Sequence, residues 1–378
     1  MAEVHGTYDP RFEAVRDALA NTLDQGMDVG ASVAVVHEGE TVVDIWGGFA
    51  DEAKTKAWER DTIINVWSTT KTMTALCALL LADRGDLDFD APVAKYWPEF
   101  KAAGKENVEV RHLMSHNAGL SGWQEPMKPE DLYDWEKATS LLAGQEPWWD
   151  PGTASGYHAV TQGYLVGEVV RRITGKSVGA FFADEFAGPL GADFHIGTPA
   201  ECDDRVALVI PPPPLDMGTV DPTSIPIRTL ANPPLSAEQS WEIPWRRAEI
   251  PAAGGHGNAR SVAAVQALLS NGGELGGKRF LSPEGCEVVL KEQSHTTDLV
   301  LGLPIRFGMG YGLTSDEMPL GPNPRTCFWG GWGGSLVLID MDARLCITYV
   351  MNKMGEGTLG DFRGVSVAAA AFGSLAGS

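Results

Sequence analysis

Trp67-Ser68-Thr69-Thr70-Lys71 places a serine three residues ahead of a lysine, where an apolar strand-like run (63–67) gives way to an apolar helical run (73–81). Residues three apart share a helix face, so the Lys71 ammonium can approach the Ser68 hydroxyl. A hydroxyl is a useful nucleophile only when a base takes its proton, and a helix N-terminus favours the oxyanion that follows. Taken alone, the tetrad also describes a serine N-cap beside a solvated lysine. A second candidate, Tyr157, stands in Pro151-Gly152-Thr153-Ala154-Ser155-Gly156-Tyr157-His158-Ala159 at the entrance to a helical run reaching Glu168. It is either a packed ring with a bonded hydroxyl or a general base whose pKa a lysine lowers. The third candidate is Cys327-Phe328-Trp329-Gly330-Gly331-Trp332-Gly333-Gly334-Ser335, which leads into a strand-like run. Its four glycines in five residues form a flexible turn, or let a ligand approach backbone N–H groups that act as oxyanion donors.

In this order the three motifs resemble those of the serine β-lactamase and penicillin-binding-protein superfamily, and specifically its family-eight carboxylesterases with a class C β-lactamase fold. The resemblance extends over nearly the whole chain through Gly85-Asp86-Leu87-Asp88, the segment 110–120 and Tyr349-Val350-Met351-Asn352-Lys353-Met354. It implies an acyl-enzyme on Ser68, with Tyr157 taking the serine proton while Lys71 poises it. It also implies an oxyanion hole of the Ser68 and Trp332 backbone N–H groups, with no cofactor and no metal. Two departures bear on substrate. Ala159 stands where the β-lactamase relatives carry Asn, and Trp329 where they carry Lys or His. Both remove groups that would hold a charged amide, and point to uncharged esters with a short or compact acyl group. Trp329, Gly330, Gly331, Phe328 and Trp123 are the substrate-binding candidates, with Trp332, Trp148 and Trp149 as further members of an aromatic wall. The alternatives are a β-lactamase or amidase, an acyltransferase of the same fold, and a non-catalytic ligand-binding relative.

Three other features carry less. His112 and His116 are four apart, but no Glu-containing zinc motif accompanies them. Gly334-Ser335 lacks the second glycine of a nucleophile elbow, because residue 337 is Val337. His256, within Gly254-Gly255-His256-Gly257, has no necessary role in Ser-Lys-Tyr chemistry.

The elements that must position these groups follow from periodicity. Residues 11–26 read as a helix, and the runs 31–36 and 41–46 as a hairpin. Runs 335–339 and 345–351 form a second hairpin, and 362–375 a closing helix. Helices are expected at 69–84, 131–143, 160–174 and 260–271. The predicted fold is α+β: an antiparallel five-stranded sheet, flanked by the N- and C-terminal helices, beside a mostly helical lobe. The sheet lobe takes residues 1–75 and 250–378, and the helical lobe 76–249. Ten of the 24 prolines fall between 211 and 251. This stretch is a surface loop or a wall over the site.

The 378 residues carry 29 Lys and Arg against 50 Asp and Glu, a net charge of −21. That excludes a nucleic-acid or anionic-membrane partner and leaves a small-molecule ester as the expected one. Oligomeric state is not legible. Five scattered cysteines form no framework, and no secretory leader or bilayer-length apolar run is present, so a cytoplasmic location is expected.

Overall fold

Strands from the two ends of the chain pair with each other to make the central sheet. The computed structural model describes residues 2–213 and 221–376. Nine strands enter one sheet: β1 (Val4–Tyr8), β2 (Gly30–His37), β3 (Glu40–Gly48), β4 (Ser294–Thr297), β5 (Pro304–Phe307), β6 (Gly312–Leu313), β7 (Thr326–Gly330), β8 (Leu336–Asp340) and β9 (Leu345–Met351). Their order is β1-β3-β2-β9-β8-β7-β6-β5-β4, and every pairing is antiparallel. The seam between the chain ends is β2 against β9, from Leu345↔His37 to Met351↔Ala31.

The sheet is larger than the five strands expected. The additions are β1, β4, β5 and β6, which are short or largely exposed. Such strands lack the buried apolar alternation that reveals a strand in a sequence. By contrast β9 is buried along its whole length, the pattern of a strand covered on both faces. Thr348 hydrogen-bonds Ala259 O at the start of one helix, while Tyr349 bonds Asp28 on the opposite side.

Seven helices matter for the site: α1 (Glu13–Asp24), α2 (Thr70–Asp83), α3 (Trp135–Gly144), α4 (Thr161–Thr174), α5 (Ile225–Leu230), α6 (Ala259–Ser270) and α7 (Phe362–Ala376). The terminal helices α1 and α7 pack together against the sheet, and α6 packs on β2, β8 and β9. Helix α2 is buried from Thr70 to Leu81. A helix apolar all round must be enclosed, and α2 packs between α4 and α6. The proline-rich stretch is partly helical: 225–230 and 243–247 form short helices within it. Residues 214–220 of that stretch lie outside the described residues.

Candidate active site

Ser68 sits in a 3-10 turn, Trp67–Thr69, that feeds directly into α2. The turn is entered through a strained residue, since Trp67 has φ +49. A bulky residue holds the left-handed region only when its surroundings impose it. Here the Trp67 indole is locked against Trp245 and Trp332, with ring centroids 5.6 and 4.9 Å away. Below it, the pair Ile64–Asn65 bonds to His256–Gly257. The short helical step from Ser68 then carries Lys71 onto the same side.

Three groups meet at the Ser68 hydroxyl. The Lys71 amine lies 3.2 Å from Ser68 Oγ, and the Tyr157 hydroxyl donates to the same oxygen at 2.5 Å. Lys71 also donates to the carbonyls of Ala159 and Ala252, at 2.6 and 2.9 Å. Complete burial with no carboxylate beside it holds the Lys71 amine well below its ordinary pKa. Burial likewise pushes the Tyr157 phenol above its ordinary value. Both directions favour neutral groups. A neutral amine has two N–H bonds and one lone pair. With the two carbonyls taking the N–H groups, the lone pair is left for the Ser68 proton.

Tyr157 is fixed from behind by groups the sequence did not reveal. Its backbone N–H donates to Asp298 Oδ1 at 3.0 Å, and that oxygen also accepts from Val300 N and Leu301 N. The ring packs edge-on to His116, 5.1 Å between centroids, and beside Trp329 at 5.7 Å. Asp298 lies in no motif, and its position becomes visible only when 298–301 folds back on 157.

The glycine-rich motif comes to the nucleophile as backbone. A Cβ on Gly331 would stand 2.3 Å from Val66 O and 3.4 Å from Ser68 N, so only glycine permits this approach. Ser335 clamps the arrangement by donating to Val66 O at 2.9 Å and bonding Thr69 Oγ1 at 2.9 Å. Trp332 follows Gly331 and lines the cavity above Ser68.

That cavity, about 390 Å³, is walled by Trp67, Val160, Ala253 and Trp332, by 227–235 residues including Leu230 and Leu235, and by Glu356 and Thr358. The candidate binding residues are placed differently from what was expected. Trp329 is buried behind Tyr157, stacked on His116 at 5.7 Å, and does not reach the cavity. Phe328 is buried beneath Gly312, where its ring would meet a Cβ at 2.7 Å. Trp123 is core, donating to Ala138 O and edge-on to Tyr164. Gly330 presses on Leu359 and Gly360. Trp148 stacks under Arg228 at 3.9 Å and Trp149 lies against Gly156. Of the motif aromatics, Trp67 and Trp332 do line the cavity, and apolar residues of the proline-rich stretch, which carry no motif, complete the wall.

His112 Nδ1 accepts from Glu109 N, and His116 Nδ1 accepts from His158 N. The His256 ring is buried and turned to Gly254 O at 3.0 Å. Among the described residues, the group with metal-like spacing is Asp193, His195 and Cys202. The Arg205 guanidinium already pairs with Asp193 and contacts Cys202 Sγ at 3.3 Å, so a cation would compete with it. None of the three lines the Ser68 cavity.

A beta-lactamase family profile matches residues 19–372. Among curated relatives, Esterase/beta-lactamase LipL of Mycobacterium tuberculosis is 36% identical over 365 residues, covering 93% of this chain and 83% of that protein. Among solved structures, a family VIII carboxylesterase superposes with a TM-score of 0.93 at 45% identity, over 99% of this chain and 100% of the other. A penicillin-binding protein homolog from Caulobacter crescentus gives 0.91 at 37% identity, again over 99% and 100%.

Proposed function

The chain belongs to the beta-lactamase family, and from that premise we propose that it is a carboxylesterase working through an acyl-enzyme on Ser68. The observation that carries this reading is the convergence of the Lys71 amine and Tyr157 hydroxyl on Ser68 Oγ beneath a largely apolar cavity. Neutral Lys71 takes the serine proton as Ser68 Oγ attacks the ester carbonyl. The backbone N–H groups of Ser68 and Trp332 receive the oxyanion. Tyr157 gives its proton to the departing alkoxide, and the resulting phenolate is neutralised by Lys71, whose Nζ lies 4.8 Å from the ring centroid. Water then attacks the acyl-enzyme along the same proton path and restores Ser68. Lys71 thus acts as first base, a choice between Lys71 and Tyr157 that the sequence left open.

The cavity supports esters without an anionic group over β-lactams. Ala159 offers no amide to a β-lactam, and no Lys or Arg is among the described lining residues. Five free, buried thiols support a reducing compartment such as the cytoplasm. No helix among the described residues is long and apolar enough to cross a membrane.

The test is hydrolysis of p-nitrophenyl acetate, p-nitrophenyl butyrate, a longer-chain ester and a chromogenic cephalosporin by the parent, Ser68→Ala and Tyr157→Phe. Ser68→Ala is expected to lose at least about 1000-fold in kcat and Tyr157→Phe about 100-fold or more. Equal rates in parent and Ser68→Ala would overturn the nucleophile assignment, and faster cephalosporin turnover would overturn the substrate class.

A further inference from the structure

Among the described residues lining the cavity above Ser68, Glu356 is the one whose side chain carries a charge at neutral pH. It stands with Thr358 on an exposed ridge between this cavity and a neighbouring apolar one of about 370 Å³, lined by Leu301, Leu303 and Met318. The Glu356 carboxylate has no hydrogen bond or ion pair among the described residues. The nearby basic side chains are engaged elsewhere. Lys71 is buried and spends its bonds on Ser68, Ala159 and Ala252. Arg228, although its chain neighbours Ile227 and Thr229 line the cavity, stacks on Trp148. Arg363 is held by Asp28 and Asp361.

Three fields of one sign therefore act on a substrate group at this ridge. The carboxylate, unpaired among the described residues, attracts a cation directly. The indoles of Trp67 and Trp332 add electron-rich ring surface to the wall. The net charge of −21 concentrates cations around the whole molecule. An anionic substrate meets all three as repulsion.

We propose that Glu356 makes this cavity a subsite for a cationic group, so that the preferred esters carry an ammonium on the arm reaching the 356–358 ridge. Neutral isosteres come second and carboxylate-bearing esters last. The inference rests on the ester-hydrolase reading of the same cavity, and its test separates the two.

Acetylcholine and 3,3-dimethylbutyl acetate have the same shape and differ by one charge. With the parent, kcat/KM for acetylcholine should exceed that for the neutral isostere by about three- to tenfold at low salt. The ratio should shrink as salt screens the carboxylate. Glu356→Gln should bring the ratio close to one, and Glu356→Lys should invert it. A ratio near one in the parent, or a ratio that Glu356→Gln leaves unchanged, overturns the inference. Calorimetric binding of choline and 3,3-dimethylbutanol gives a reading independent of turnover. Choline should bind more tightly to the parent and lose that advantage in Glu356→Gln, and equal binding overturns the subsite. If p-nitrophenyl acetate and both acetates are untouched while choline still binds selectively, the ester-hydrolase reading fails and the cation subsite stands.

Discussion

Lys71 lies at a buried position where two carbonyls and no carboxylate accept from its amine, and burial sets the direction of its pKa. If it is the base, hydrolysis should rise with pH through that lowered value, because the protonated amine has no lone pair. A pH–rate profile checks this: Tyr157→Phe should lower the plateau but keep the acid limb. Loss of the limb in that variant would return the base role to the tyrosine. Asp298 is a positioning residue, acting on the reaction only through the Tyr157 backbone. Asp298→Ala leaves three N–H groups without their carboxylate and should cut kcat about tenfold with little change in KM. A matching loss in KM would indicate general disruption. Ser68, Lys71 and Tyr157 were legible because each occurs in a local pattern. Asp298 and Glu356 were not, because their significance depends on contacts across 141 residues of chain in one case and on a cavity wall in the other. Trp329 shows the reverse failure: its motif marked it for the site, yet its ring lies behind Tyr157 and supports it.

At the scale of elements, the site depends on the β7–β8 connection approaching the start of α2. Gly331→Ala forces a methyl group against Val66 O and Ser335 Oγ. The backbone must retreat, taking the Trp332 N–H with it, and kcat should fall by about 100-fold or more. Circular dichroism and the melting transition would show whether the fold survives. Near-native activity in a folded Gly331→Ala variant would exclude this backbone from the oxyanion hole. The helices and the two hairpins were readable because they carry sustained periodicity. The edge strands β1 and β4 were not, since both are mostly exposed, and β6 was not, since it has two residues. In the proline-rich stretch, composition indicated irregular chain, while local sequence still formed α5 and placed Ile227 and Leu230 in the cavity wall.

For the molecule as a whole, the buried histidines set a limit on acid stability. Burial lowers His158 and His256 from 6.5 to about 3. Below pH 6.5 the unfolded chain takes up protons that the folded chain refuses, so the stability these rings contribute is lost as pH falls towards 3. The slope is on the order of 1 kcal/mol per pH unit for each ring. Urea midpoints measured from pH 7 to 4 should fall accordingly, and His256→Gln should make the decline shallower. The α+β class was legible from the chain ends because their apolar runs are long. The seam they form has a further consequence for synthesis. Thr348 bonds Ala34 across 314 residues of sequence. On the ribosome, the nucleophile turn therefore emerges long before the glycine motif and the strand that closes the sheet. Until 331–351 has followed, β2 has an open edge and the serine lacks its facing backbone. Competence is thus acquired late in translation, and a nascent chain halted before β9 is inert and prone to edge pairing.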